Sequence, residues 1–493
     1  MYRNLRGRPG TVLAAAAVAQ FVFALDMSVV NIALPAVRAA LGFAPLDLSW
    51  VVHVYALTFG GLLLLGGRAC DLYGRRRLFV LGLTVFGVCS LAGGLAQEPW
   101  QLIAARAGQG LGAAAAAPAA LALLTTTFPE GPRRTRALGI WSAVNAAGGA
   151  LGVLAGGLLT QYAGWRWVML INLPFVAAAL TLVPAGVPAG TPSGPRGRPD
   201  ALGAVLATGG IGLLVFGTVR TDSHGWASAA TVVPLCAAVV LLAAFAVAEA
   251  RAEAPLLRLG LLRSRWVAGA NTLVFLAAAG QFAAFYFVSL YMQQVLGMGA
   301  AATGAAFLPF SVGLVAGTVI ATRITSSRSP RAALVSGALL AAVGLAWFAA
   351  IRPDGSFLVD VLGPSLLTSF GTGLVLAPVA AAATTGVARD EAGMASGFFN
   401  SSRQLGGCVG LAVLATVAAH RTGSGTGPAA ANAGYAVGLA ATAVLFLLAA
   451  AVAICVLPGR RPAVAASHTN HTEGPDTPSL PDEHQKHLKG TPS

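Results

Sequence analysis

Residues 66–77 read GGRACDLYGRRR, and they join one long apolar run to the next, which starts at Leu78. A chain this hydrophobic can carry Arg75, Arg76 and Arg77 side by side only where they reach water. The stretch therefore reads as a tight basic loop between two membrane spans. Gly67 and Gly74 permit close backbone approach or positive φ, and Asp71 can accept hydrogen bonds from helix-end donors.

The composition outside this stretch agrees. The 493 residues are 56% hydrophobic and 10% charged, with a mean hydropathy of +0.75. A soluble core of this length needs far less apolar sequence, and here the apolar residues come in runs long enough to cross a bilayer. The expected fold class is an all-α integral membrane protein with about fourteen transmembrane helices, because only helices satisfy the backbone of such runs in lipid. The runs centre near Phe23, Leu62, Gly87, Ala116, Leu151, Ala178, Ile211, Val239, Ala279, Phe310, Leu340, Gly371, Val409 and Leu445.

A net charge of +14 could suggest nucleic acid, but the charges lie in the wrong places for it. Apart from Lys486 and Lys489 the basic residues are arginines, mostly in short loops between apolar runs. One set of alternate loops holds nearly all of them, while only Arg38, Arg166, Arg220, Arg352 and Arg421 fall in the other. That is the positive-inside pattern, and it puts both termini in the cytoplasm. No nucleic-acid partner is expected. Cys70, Cys89, Cys236, Cys408 and Cys455 show no metal or redox spacing and read as small core residues. A signal peptide is not expected, since the first apolar run is too long and contains Asp26. No metal site is expected either. His468, His471, His484 and His487 belong to a polar, Pro-rich tail that reads as solvated and disordered.

Few polar residues interrupt the spans, and those few are the candidates for chemistry. The first span reads LDMSVVNIALP from Leu25 to Pro35, with Asp26 at a depth where an ionised side chain needs a cavity or a partner. Asn31 lies five residues on, about 140° around the helix, so the two cannot share a narrow stripe. The second span begins near Trp50, an interfacial anchor, and carries His53 and Tyr55. Arg106 opens RAGQGLGAAAAAP in the fourth span, at a depth similar to that of Asp26, so an ion pair or water-bridged pair is expected. Gln109 follows it. The fifth span places Gly148, Gly152, Gly156 and Gly157 as a groove for a neighbouring helix. Gly164 to Pro174 reads GWRWVMLINLP. In the later spans Gln281 stands isolated, and Arg403 and Gln404 lie in GMASGFFNSSRQLGG from Gly393. Asp360 is a second, shallower carboxylate.

These motifs resemble the major facilitator superfamily and, within it, the fourteen-span drug:proton antiporters. Gly67, Asp71, Gly74, Arg75 and Arg76 match its loop signature, with Ala69, Cys70 and Leu72 as departures. Arg106, Gln109, Gly110 and Gly112 match R-x-x-Q-G-x-G. The antiporter signature in the fifth span is matched except that Val153 replaces its proline. The resemblance implies two six-helix bundles, residues 1–187 and 251–458, with a linker and two extra spans over 188–250 and a cytoplasmic tail over 459–493. It implies a conformational latch at Gly67, Asp71, Gly74, Arg75 and Arg76. Proton coupling and the substrate cavity would fall to Asp26, Asn31, Tyr55, Arg106, Gln109, Gln281, Arg403 and Gln404. The implied function is a secondary transporter in the cell membrane that exports amphipathic drugs or antibiotics by alternating access, acting as a monomer. It would need no cofactor and would draw on the proton gradient. Val153 leaves open an importer or facilitator of a sugar or other metabolite. The sequence has no Walker loop and no soluble domain that could hydrolyse ATP, and no clustered His, Asp or Cys for a membrane-embedded enzyme.

Overall fold

The computed structural model describes residues 9–44, 47–128, 132–186, 201–252, 259–327, 330–387, 392–423, 425 and 427–457. The 459–493 tail, its histidines and all of the 188–200 linker therefore lie outside the described residues. Sixteen α-helices follow one another: α1 (Pro9–Leu41), α2 (Trp50–Tyr73), α3 (Arg75–Gly94), α4 (Pro99–Thr127), α5 (Pro132–Tyr162), α6 (Arg166–Leu170), α7 (Asn172–Gly186), α8 (Ala201–His224), α9 (Ala229–Arg251), α10 (Arg265–Leu290), α11 (Ala300–Ala306), α12 (Leu308–Ser327), α13 (Pro330–Phe348), α14 (Gly363–Ala383), α15 (Ala392–Thr422) and α16 (Pro428–Cys455). Because α6 continues into α7 and α11 into α12, they make 14 segments long and apolar enough to cross a membrane. All fourteen centres read from hydropathy fall inside them.

The basic stretch departs from its sequence reading. The α-helix runs on through residues 66–73, and the loop shrinks to Gly74 alone. Gly74 has φ +95°, which an L side chain rarely adopts; its N–H donates to Cys70 O at 3.1 Å and its carbonyl accepts from Leu78 N at 3.2 Å. One residue with left-handed freedom thus reverses the chain, so the turn needs no longer loop. Arg77 is exposed, and Arg75 and Arg76 are half-buried. The Asp71 side chain lies outside what the structure describes.

Without a hydrophobic drive between helices in lipid, close approach depends on small residues. The α5 glycines provide it against α1. A Cβ on Gly148 would stand 2.6 Å from Phe21 O, on Gly152 2.7 Å from Leu25 O, and on Gly156 2.6 Å from Val29 O. Gly157 faces instead the backbone of Ala300 and Ala301 on α11, 3.0 Å from the Ala301 Cα. The groove therefore holds α1 over about two turns and touches the last six spans with its final glycine.

Helices α8 and α9 pack on each other, and α8 also packs on α2 and α15. Most of α9 is exposed, as a lipid-facing helix should be. The first six spans meet the last six through α2 with α15, α5 with α11, and α1 with α10. Gln293 Nε2 donates to Ile32 O at 3.2 Å, and Gln161 Oε1 accepts from Ala301 N at 2.9 Å. Both bonds lie at the end away from Arg75–Arg77.

Gly152→Leu is expected to force α1 and α5 apart, at the cost of about 1–3 kcal/mol typical of overpacking. Gly149→Leu, where an added Cβ meets nothing within 4 Å, is the control. Transport in reconstituted vesicles should be lost for the first and kept for the second. Equal transport by both would show that the groove does not constrain the moving helices.

Candidate functional site

The polar residues of the first six spans converge on one carboxylate. Asp26 is completely buried, and Arg106 NH1 donates to its Oδ2 at 2.5 Å. Asp26 Oδ1 accepts from Asn172 Nδ2 at 2.7 Å and from Gln109 Nε2 at 3.1 Å. Gln109 Oε1 accepts from Arg106 NH1 at 3.0 Å, and Gln109 Nε2 also donates to Ser90 Oγ at 2.9 Å. Asn172 Nδ2 donates to the same Ser90 Oγ at 2.8 Å, and the Ser90 hydroxyl donates to Met169 O at 2.9 Å. Arg106 Nε donates to Val51 O at 3.0 Å, and its guanidinium lies 4.3 Å from the centre of the Tyr55 ring. Five spans, α1, α2, α3, α4 and the continuous α6–α7, thus meet in one network.

Local sequence explains why they can. On α4, Gly110 brings the helix so close to α2 that an added Cβ would stand 2.7 Å from Tyr55 O. Gly112 does the same against α3, 2.6 Å from Gly82 O. The R-x-x-Q spacing puts Arg106 and Gln109 about one turn apart on one face. Asn172 begins α7 after a turn at Ile171, which frees its side chain to point back into the bundle.

The arrangement suits a carboxylate that has lost its proton: every partner of Asp26 is a donor and its charge is cancelled by Arg106. Asn172 Oδ1 and the Tyr55 hydroxyl oxygen, both buried, have no hydrogen-bond partner among the described residues. The direct Asp26–Arg106 ion pair is one of the two arrangements the sequence allowed.

Of the residues singled out from sequence, Asp26, Tyr55, Arg106 and Gln109 come together; Asn31, Gln281, Arg403 and Gln404 do not join them. Asn31 turns back on its own helix, donating to Met27 O at 2.9 Å. Gln281 lines a cavity of about 20 Å³ with Phe285, Phe307, Phe310, Ser365 and Thr368. Drug-sized ligands occupy roughly 300–1,000 Å³, so in this conformation it holds none. Gln404 is buried, and its Nε2 lies 3.6 Å from Met27 Sδ of α1. Arg403 is half-buried, with no ion pair among the described residues. Asp360 accepts from Ser356 N at 2.8 Å and from Arg352 Nε at 3.3 Å, the geometry of a helix-start cap beside an exposed arginine. Sequence reasoning missed Ser90 and Asn172. Both are polar residues within apolar runs, and Asn172 lay inside the quoted GWRWVMLINLP.

The Major Facilitator Superfamily model matches residues 16–411. This chain belongs to the Major Facilitator Superfamily. Proteins of this superfamily are transporters, not enzymes, and this member is a multi-pass membrane protein. It is 47% identical over 454 residues to the cephamycin export protein CmcT of Amycolatopsis lactamdurans, covering 91% of this chain and 92% of that one. It is 40% identical over 455 residues to the puromycin resistance protein pur8 of Streptomyces alboniger, covering 90% of each. With the tetracenomycin C resistance and export protein of Streptomyces glaucescens the identity is 35% over 427 residues, covering 85% and 78%. The fold is shared with a solved bacterial homologue of the human lysosomal transporter Spinster, at TM-score 0.63 and 16% identity over 90% of this chain and 96% of that one.

Removing one partner of a buried ion pair strands the other, typically at about 3–5 kcal/mol. Arg106→Ala should therefore lower thermal stability in detergent sharply. Combining Asp26→Asn with Arg106→Gln should recover much of the loss, because no charge is then stranded. A double variant no more stable than Arg106→Ala would mean that the pair is not what holds this region.

Proposed function

We propose that the protein exports amphipathic antibiotics in exchange for protons, with Asp26 as the proton-carrying group. The observation that carries this reading is the buried, charge-paired carboxylate at the centre of the first six spans. Ionisable groups in a membrane interior are expensive and mark ion or proton pathways. Antibiotic export is supported by relatives named as exporters and resistance proteins, aligned over most of their length.

The proposed mechanism is alternating access of two six-helix bundles, residues 1–187 and 251–458, with α8 and α9 as the inserted pair. Arg75–Arg77 and the other arginine-rich loops mark the cytoplasmic side of the cell membrane, so the contacts between Gln293 and Ile32 and between Gln161 and Ala301 close the outer side. In this conformation Asp26 is ionised and shielded on every side by protein. A proton arriving there discharges the carboxylate and strips Arg106 of its counter-charge. The network must then rearrange, and five helices move with it. Because Asp26 has no exposed surface in this conformation, we read the exchange as indirect: protonation resets helix geometry, and the drug binds elsewhere between the bundles. Arg403, half-buried beside the α2–α15 contact, and Gln404 belong to that surface. Gly74 and its neighbours Gly67, Asp71, Arg75 and Arg76 serve as the latch at the cytoplasmic end. No cofactor is required, and the active form is a monomer.

Asp26→Asn keeps shape and hydrogen-bonding capacity but removes the titrating group. In proteoliposomes with an imposed pH gradient, uphill transport of an amphipathic antibiotic such as puromycin should be abolished. Downhill exchange of the labelled drug should persist. Uphill transport at the parent rate would place proton coupling elsewhere.

A further inference from the structure

We propose that His53 is a second proton-binding site, set in the junction between α2 and α15, and that a proton there holds the junction open. His53 is completely buried, and its Nε2 has no hydrogen-bond partner among the described residues. Its Nδ1 stands 3.9 Å from Cys408 Sγ on α15, while that thiol donates to His53 O at 3.4 Å. One apolar cluster of the junction holds Ala56 and Leu57 of α2, Val215 and Val219 of α8 and Ala412 of α15 together with Cys408. Trp50 meets the imidazole edge-on, with ring centres 5.8 Å apart.

A neutral imidazole can occupy this place, since it needs at most one donor satisfied. An imidazolium carries two N–H donors and finds one thiol, a weak acceptor, and nothing at Nε2. Among the described residues no carboxylate stands against the imidazole. On α8 the guanidinium of Arg220 lies 4.9 Å from the Phe216 ring, which itself abuts Trp50. On α4 Arg106 contacts Val51 and Tyr55, each two residues from His53 and so about 200° around the helix. Its partner Asp26 lies beyond it on that opposite face. Asp47 is exposed in the turn ahead of α2; on α15 the thiol of Cys408 meets the imidazole, and Arg403, the charged residue of that helix beside the α2–α15 contact, is a cation.

A closed junction and a protonated His53 therefore exclude each other. Once α2 and α15 part, the imidazole reaches water, and an unperturbed imidazole in water takes up a proton near pH 6.5. Above that pH the closed junction loses nothing. Below it the open form gains a proton that the closed form cannot hold, and open-to-closed ratios rise about tenfold per pH unit. This inference does not depend on exchange at Asp26, since it concerns an equilibrium that needs neither substrate nor gradient.

The test is distance measurement between spin labels at Ala163→Cys and Asp354→Cys, two exposed positions at the end away from Arg75–Arg77. Cys89, Cys236 and Cys455 are replaced by serine, and the full chain is held in lipid nanodiscs between pH 5 and 8. The parent should gain a long-distance population as pH falls through the imidazole range. His53→Gln and His53→Thr should lose that step while keeping the parent distance at pH 8, which shows that they fold. Asp26→Asn should keep the step. A step that survives in both His53 variants, or vanishes only in Asp26→Asn, overturns the proposal, as does a parent that shows no step.

Discussion

A carboxylate inside an apolar span is tolerable only if its charge is cancelled and its lone pairs are used, and at Asp26 one arginine does the first while two amides and that arginine do the second. Much of the packing of the first six spans follows from this requirement. Arg106 can reach Asp26 only because Gly110 and Gly112 let α4 lie against α2 and α3 at backbone distance. The same closeness delivers the Val51 carbonyl to Arg106 and the Ser90 hydroxyl to Gln109. A bulkier α4 would leave each of these groups buried and unpaired, at several kcal/mol apiece in lipid. Glycine content and ion pair are thus one constraint seen at two scales.

The last six spans answer the same problem differently. Where the first six gather charge, the cavity bordered by α10, α12, α13 and α14 is lined by Phe285, Phe307, Phe310 and Phe348, with Ser365 and Thr368 as its hydroxyls. Phe285 stacks on Phe307 with ring centres 4.3 Å apart. Thr372 satisfies its hydroxyl on its own helix, at Thr368 O at 2.8 Å, while the Thr368 hydroxyl has no partner among the described residues. The acidic residue that these spans do carry, Asp360, sits at a helix start beside Arg352 and not in the core. The molecule is chemically lopsided: its buried ion pair lies on one side of the α2–α15 contact.

Span number and position were legible because lipid imposes a length and a hydropathy that leave few alternatives. The pairing of Asp26 with Arg106 was legible too, since counting depth from the ends of two spans is nearly geometry. Ser90 and Asn172 were harder. Single neutral polar residues are common in spans, and only the rotation of α3 and α7, set by packing, turns these two towards the carboxylate. The loop of residues 66–77 was misjudged for a related reason. Polar and basic residues read as loop, yet a helix that has reached the interface can continue in water, and only Gly74 with its positive φ marks the turn. Glycine spacing showed a groove on α5, but nothing in the spacing told α1 from any other neighbour, or that Gly157 would face α11.

His53 shows where sequence and structure carry different information. In the sequence it is one polar residue in a span, with nothing to say whether it faces lipid, a cavity or another helix. Its position two residues from both Val51 and Tyr55 puts it on the face of α2 opposite the ion pair, which is the face that meets α15. A helix so placed presents a fixed, neutralised charge pair to its own bundle and a single uncompensated imidazole to the neighbouring one. The first is stable in any conformation that keeps α1, α2 and α4 together. The second is stable only while it stays neutral or meets water. Of the two, the weaker and less satisfied contact is therefore the one that a proton can break without dismantling the bundle around it.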